Sequence, residues 1–362
     1  MDAAVAVIVE RVRQAHASGE ALTIRGGGSK DFYGETPVGI VLDTTTLVGS
    51  ADHEPTELVV TAPAGMRLIE LETQLAAHGQ CLAFEPPRFA PTTTVGGMVA
   101  AGLSGPSRAA AGSVRHHVLG MTIVSGTGEL LQFGGRVIKN VAGYDVSRLV
   151  AGSLGILGVI VEVSLKVLPR AEAEATLRFD RKPGAALAQL HAWGARPLPL
   201  DASAWWNGNL IVRLRGSAAA VDEGMRAIGG EQIAPAAAAP FWQSLRDHTD
   251  PFFVAAEDAI DHQDATLWRL SLPQTAPLLG LAGDELIEWH GGQRWLATAL
   301  PAPQVRDAAS AVGGHATAFR SRDKSAGAFA PLAAPLRAIH EQLKRAFDPK
   351  GILNPGRLYR GL

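Results

Sequence analysis

Apolar residues recur with two periods along this chain. Val5, Ile8, Val12 and Ala15 share one face of a helix predicted over residues 3–17. Leu68, Leu71 and Leu75 do the same for a helix over 66–78, which Gly79 stops in the C′ position. The pattern predicts short strands at 22–25 and 58–61. Residues 118–125 and 129–133 flank Gly126-Thr127-Gly128 as the two arms of a hairpin. The strongest alternation runs over 159–167. Val159, Val161, Val163, Leu165 and Val167 fall on one face, Glu162, Ser164 and Lys166 on the other, and Pro169 ends the strand.

From about Ala171 the rhythm changes and the glycine-dense loops stop. A strand at 175–180 and a helix at 185–193 lead to a hairpin of 204–206 with 210–214, turned at Asn207-Gly208. A helix at 218–228 is capped by Gly229-Gly230. A strand at 267–272 precedes a second hairpin, 286–289 with 294–299, around Gly291-Gly292, and a helix at 304–312. Residues 235–240, alanines between two prolines, read as a loop, and 332–347 as a closing amphipathic helix. Strands that pair locally, with helices between them, predict an antiparallel α+β domain with helices on one face. No internal repeat is evident.

A length of 362 residues suggests two domains, at roughly 100–200 residues each. Hydrophobic residues at 47% against 19% charged allow a large core and exclude disorder. A net charge of −2 excludes the basic footprint of a nucleic-acid binder. A single cysteine, Cys81, excludes a disulfide scaffold, a Cys-rich zinc site and an iron–sulfur cluster held by this chain alone. No basic segment precedes an apolar run at the N-terminus, so no secretory signal is expected. The apolar stretch 149–161 contains three glycines and falls short of the ~20 residues of a spanning helix. A soluble chain, or one held at a membrane only through partners, is expected.

Three segments carry candidate chemistry. Arg25-Gly26-Gly27-Gly28-Ser29-Lys30 follows a strand, and its glycines permit positive φ and converging N–H groups that bind phosphate oxygens. A plain flexible turn is the alternative. Neither a G-x-G-x-x-G after a strand nor a P-loop order is present. Pro91-Thr92-Thr93-Thr94-Val95-Gly96-Gly97 opens a short apolar helix whose N-terminus offers N–H groups and a positive dipole end. A Thr-rich helix cap explains it as well. Lys139-Asn140-Val141-Ala142-Gly143-Tyr144-Asp145, with Gly152, Gly155 and Gly158 after it, puts four glycines just before the best strand. Such density suits the close approach of another backbone or a flat ligand.

Together these segments resemble the p-cresol methylhydroxylase/vanillyl-alcohol oxidase type of FAD domain, over about residues 15–170. The closing Phe347-Asp348-Pro349-Lys350-Gly351-Ile352-Leu353-Asn354-Pro355-Gly356-Arg357 strengthens the resemblance. Within that superfamily, Val118-Leu119-Gly120, the 139–145 segment and the short length are similar to the family of FAD-binding E subunits of bacterial glycolate oxidase (glycolate dehydrogenase). The resemblance implies an α+β chain with three parts. Residues 1–170 form a two-lobed FAD-binding domain, 171–330 a smaller antiparallel, ferredoxin-like cap, substrate or subunit-interface domain, and 331–362 a segment returning to the first domain.

It also implies roles. Gly26, Gly27, Gly28 and Ser29 hold the FAD pyrophosphate from one side, and Thr94, Gly96 and Gly97 from the other. Gly102 and Ser104 lie along the ribityl chain or isoalloxazine, and Gly155 and Ile160 touch the cofactor with backbone atoms. Some relatives attach FAD through a histidine beside the first loop. Ser29 and Lys30 stand there in this chain, which implies non-covalent FAD.

Related 2-hydroxy-acid dehydrogenases carry Gly-His-x-Gly-Asp-Gly-Asn and a later Glu-His-Gly for a divalent metal. This chain has Gly314-His315-Ala316-Thr317-Ala318 and Lys324-Ser325-Ala326-Gly327, so His315 reads as structural and no metal is expected. Arg320, Arg322 and Lys324 read as a solvated basic loop, with carboxylate binding the lesser alternative, and no catalytic residue is identified. Trp205, Trp206, Trp289 and Trp295 read as core residues of the second domain, with an aromatic wall over a flavin the lesser alternative.

The implied activity is oxidation of glycolate, a small 2-hydroxy acid, to glyoxylate within a complex. A catalytic D-type FAD subunit and an iron–sulfur F-type subunit would be the partners. The location would be cytoplasmic, at the inner face of the membrane through those partners. Two alternatives stand: a self-sufficient flavin oxidase of another alcohol, and a non-catalytic FAD-binding scaffold.

Overall fold

The computed structural model describes residues 2–136 and 144–362, so the 139–143 part of the third segment lies outside the described residues. The chain divides into two units. One comprises residues 1–103, 113–169 and 331–362; the other comprises 104–112 and 170–330.

In the first unit the helix Ala3–Ser18 is capped by the Asp2 carboxylate at one end and by left-handed Gly19 at the other. It buries Ile8, Val9, Val12 and Ala15. The helix Leu68–Ala77 buries Leu68, Leu71 and Leu75, and Gly79 follows it at φ 68°. Both pack into one core with the central strand Val159–Lys166. That strand pairs antiparallel with Val59–Pro63 on one side and Val118–Val124 on the other. Asp52–Glu54 and Leu130–Gly134 complete a five-stranded sheet at its two edges. Ser164, on the polar face of the strand, is buried and bonded to Thr61 Oγ1 at 2.8 Å.

A smaller parallel pair, Leu22–Arg25 with Ile40–Asp43, sets up the glycine loop. The C-terminal segment docks on it. Leu22 N donates to Ile352 O at 2.7 Å, Asn354 N to Leu22 O at 2.8 Å, and Ile24 N to Asn354 Oδ1 at 2.6 Å.

The second unit is built on one eight-stranded sheet with every neighbouring pair antiparallel. The hairpin Leu200–Trp206 with Asn209–Gly216 turns at Asn207 (φ 46°) and Gly208 (φ 81°), the left-handed pair a two-residue turn requires.

Two expectations change here. Residues 235–240 are not a loop. They open the helix Pro235–Asp247, with Pro235 in the first turn, where no N–H is needed, and Pro240 inside. Ala238, Trp242 and Leu245 form its buried face, and Trp242 Nε1 donates to Thr176 Oγ1 at 2.9 Å. Alanine propensity and this packing outweigh the bond that Pro240 removes.

Helices also cover both faces of the sheet rather than one. Leu177 and Phe179 pack with Leu190 of the helix Pro183–Gly194, whereas alternate Thr176 meets Trp242 of Pro235–Asp247. Trp289 and Trp295 are buried as expected, but Trp205 and Trp206 are only half-buried.

Candidate functional site

Nine of the eleven candidate residues line one cleft of the first unit: Gly26, Gly27, Gly28, Ser29, Thr94, Gly96, Gly97, Gly155 and Ile160. Arg25, Thr44, Leu154, Gly158, Asn354 and Arg357 are among the others that line it. The two others lie elsewhere. Gly102 ends the helix Val95–Ala101 in the left-handed region, and a Cβ there would sit 2.8 Å from Gly152 Cα. Ser104 begins the 104–112 segment of the second unit.

The glycine loop is held open by close contacts. Thr92 Oγ1 donates to Gly27 O at 2.6 Å, and Thr93 Oγ1 to Ser29 Oγ at 2.7 Å. A Cβ on Gly27 would fall 1.6 Å from Thr92 O, and one on Gly26 2.5 Å from Thr94 Oγ1. Only Gly28 of the three adopts positive φ, at 73°. Gly26 and Gly27 are therefore required for close approach rather than for conformation. Among the described residues, the N–H groups of Gly26, Gly27, Gly28 and Ser29 donate to no protein acceptor. A run of such unspent donors at a turn is an anion cradle. These donors fit a diphosphate.

The second segment differs from the expectation. At the start of Val95–Ala101, Val95 N donates to Met66 O at 2.9 Å and Gly96 N to Ala64 O at 2.8 Å. Gly97 N donates to Thr94 Oγ1 at 3.2 Å. The helix N-terminus has spent its donors on the protein. Its part in the cleft is shape, because a Cβ on Gly96 would lie 2.7 Å from Ala64 Cβ.

The far wall is built by the C-terminal segment. Asn354 Nδ2 donates to Leu154 O at 2.6 Å, and left-handed Gly155 leaves room for that amide. Lys344, buried, donates to Ile156 O at 2.9 Å, Leu353 O at 2.6 Å and Asp348 Oδ2 at 2.7 Å. Arg357 donates to Asp31 O at 2.9 Å and to Glu35 O; burial pushes its guanidinium below the ordinary range.

In the second unit the histidine and arginine candidates are already engaged or lie apart. His315 begins the strand His315–Arg320 as an exposed residue. Arg320 is no solvated loop residue. It pairs with Glu257 at 2.7 Å, and burial lowers its pKa. Arg322 lies 3.7 Å from Asp261. Among the described residues no three His, Cys, Asp or Glu side chains come together as metal ligands would. No helix among them is long and apolar enough to cross a membrane.

Sequence reasoning gave no hint of Glu288. Its carboxylate, buried in the sheet, accepts from Trp295 Nε1 at 2.6 Å and Gln293 Nε2 at 3.0 Å. Burial raises its pKa from 4.5 to about 7, against the pull of those two donors. Between these pH values the folded chain keeps a proton that the unfolded chain releases, so stability falls as pH rises from about 4.5 to 7. The loss is bounded at about 3 kcal/mol by ~1.4 kcal/mol per unit. Glu288→Gln should flatten the dependence of the thermal midpoint on pH across that window. An unchanged slope would place the titration elsewhere.

Comparison with known proteins accords with the geometry. Residues 4–134 match the FAD binding domain family. Glycolate oxidase subunit GlcE of Escherichia coli (strain K12) is 43% identical over 355 residues, which cover 98% of this chain and 97% of that protein. The D-lactate dehydrogenase of Archaeoglobus fulgidus is 36% identical over 152 residues, 41% of this chain and 33% of its own length. Glycolate oxidase subunit GlcD of Bacillus subtilis (strain 168) is 31% identical over 156 residues, 42% of this chain and 33% of its own. Among solved structures, an alkyldihydroxyacetonephosphate synthase superposes with a TM-score of 0.65 at 16% identity, over 97% of this chain and 74% of that one. The fold is the p-cresol methylhydroxylase type of FAD-binding fold with an antiparallel α+β second unit. By its near full-length likeness, the chain belongs to the GlcE family of glycolate oxidase subunits.

Proposed function

We propose that this chain is the FAD-carrying E-type subunit of a complex that oxidises glycolate to glyoxylate, and that it holds FAD without a covalent bond. One observation carries the reading. Gly26 to Ser29, whose N–H groups meet no protein acceptor among the described residues, line one cleft with five other residues a GlcE-type chain would use.

Those donors bind the pyrophosphate, and Ser29 Oγ, fixed by Thr93, adds a hydroxyl. Thr94, Gly96 and Gly97 confine the pyrophosphate from the other side by shape. Gly155 and Ile160 meet the cofactor with backbone atoms, and Gly102 and Ser104 lie towards the ribityl chain or ring. Residues 1–170 with 331–362 form the cofactor domain, and 171–330 a second domain for a cap, substrate or subunit-interface role. When bound, FAD supplies a hydride acceptor for the hydroxy acid and a carrier of its electrons.

In the sequence, Ser29 and Lys30 follow the glycines where a tethering histidine would stand. Lys30 lies 5.3 Å from the Phe89 ring centroid. A D-type subunit supplies most of the catalytic side chains, and an iron–sulfur F-type subunit takes the electrons at the inner face of the membrane.

Two measurements test this. Acid precipitation of the purified chain should leave all flavin in the supernatant; flavin retained on the polypeptide contradicts non-covalent binding. Mixed anaerobically with glycolate in stopped flow, the isolated chain should keep its flavin band, while adding D- and F-type subunits should give glycolate-dependent dye reduction. Rapid bleaching of the chain alone would make it a self-sufficient oxidase. A colourless chain that takes up no FAD would remove the cofactor role.

A further inference from the structure

The second unit contains a strained corner. Trp289, His290 and Gly291 follow one another in the left-handed region, at φ 51°, 58° and 99°. Two non-glycine residues there are costly, and such strain persists only where surrounding bonds impose it. Those bonds are present. Trp289 Nε1 donates to Gly105 O at 3.0 Å, and His290 N and Nδ1 each lie 2.9 Å from Ser203 Oγ. The 104–112 segment is itself anchored. Fully buried Ser107 donates to both oxygens of Asp201, at 3.0 and 2.9 Å, and accepts from Arg213 at 2.7 Å.

The corner presents the Trp289 ring to two cations. The guanidinium of Arg108 lies 4.4 Å from the ring centroid and that of Arg269 5.3 Å from it. Both side chains are half-buried. Among the described residues neither forms an ion pair with a carboxylate. Three other arginines of this unit do so, Arg213 with Asp201 at 2.6 Å, Arg215 with Glu174 at 2.8 Å and Arg320 with Glu257 at 2.7 Å, and fully buried Arg294 spends its guanidinium on Pro277 O and Ala276 O. Arg269 spends only its Nε, on Gln293 Oε1 at 2.7 Å. The two guanidiniums feel each other, since burial and then the charge of Arg269 push the Arg108 pKa down. His290 adds no charge, because burial lowers its pKa to about 4.

We propose that Arg108 and Arg269, packed on Trp289, form an anion site in the second unit that takes the carboxylate of a small organic acid. Two like charges are held beside one ring with no carboxylate in ion-pair contact; the buried Glu288 acts on Arg269 only through space, with Gln293 bonded to both. Planar guanidiniums with free N–H edges match a carboxylate. The choice of a 2-hydroxy acid as probe rests on the function proposed above; the site itself does not.

The test is calorimetric titration of the FAD-loaded chain with sodium glycolate against sodium chloride at equal ionic strength. Wild type should bind glycolate. Arg108→Gln and Arg269→Gln should each weaken binding at least tenfold while FAD content and thermal midpoint stay unchanged, and Arg269→Lys should recover part of the loss. No binding by wild type overturns the proposal, as do glutamine variants that bind like wild type. Variants that keep glycolate affinity but no longer assemble with the D-type subunit also overturn it and assign the arginines to a protein interface. Turnover by the assembled complex reads the proposed function separately. A chain that binds glycolate in a complex that does not oxidise it leaves the anion site standing.

Discussion

Gly27→Val is expected to purify without FAD and to take up added FAD at least a hundredfold more weakly than wild type. That factor corresponds to about 2.7 kcal/mol. The cause is the distance of 1.6 Å from an added Cβ to Thr92 O, a backbone atom that cannot rotate away. Making room parts the two loops, breaks the 2.6 Å bond from Thr92 Oγ1 to Gly27 O and turns the unspent N–H groups away from one another. Gly28→Ala is the informative contrast. Its φ of 73° strains the new side chain, but the Cβ meets the movable end of Arg25, so the effect should be smaller. Equilibrium dialysis with FAD measures both. Wild-type affinity in Gly27→Val would show that the loop is only a turn.

Asp348→Ala is the second large effect. Asp348 is fully buried and accepts from Lys344 Nζ at 2.7 Å, Leu353 N at 2.7 Å and Ile352 N at 3.1 Å. Removing it strands a buried ammonium and two backbone donors, at a cost of about 3–5 kcal/mol. At ~2–4 °C per kcal/mol, the thermal midpoint should fall by roughly 10 °C. Lys344 also holds Ile156 O, in the loop that carries Gly155, so FAD affinity should fall with stability. Lys344→Met should restore part of the stability to Asp348→Ala, because it removes the orphaned charge. Additive losses in the double variant, or a shift of a degree or two in Asp348→Ala, would show that this pair does not hold the closing segment.

Much of the fold was written locally. Val12 and Ala15, Leu71 and Leu75, and the alternating valines of 159–166 mark helix and strand because their periods match 3.6 and 2. Asn207-Gly208 marks its hairpin because both residues tolerate left-handed φ. The failures were local rules overruled from a distance. Pro235 and Pro240 look like breakers until Trp242 finds Thr176 on the face of the sheet. Alternation within one strand did not reveal that the opposite face of the second sheet would also receive helices.

The site divides in the same way. The residue types of 26–29, 94–97 and 155–160 marked candidate cofactor loops, and the fold brings nine of the eleven candidates to one cleft. Which donors stay free was decided only in three dimensions. Val95 and Gly96 spend theirs on Met66 and Ala64 some thirty residues earlier, whereas the glycine loop keeps its own. Asn354 reaches Ile24 across 330 positions, and Arg108 shares the ring of Trp289 with Arg269. Periodicity and turn chemistry act over a few residues and are therefore legible along the chain. Hydrogen-bond satisfaction and charge pairing depend on neighbours that only the folded chain brings together.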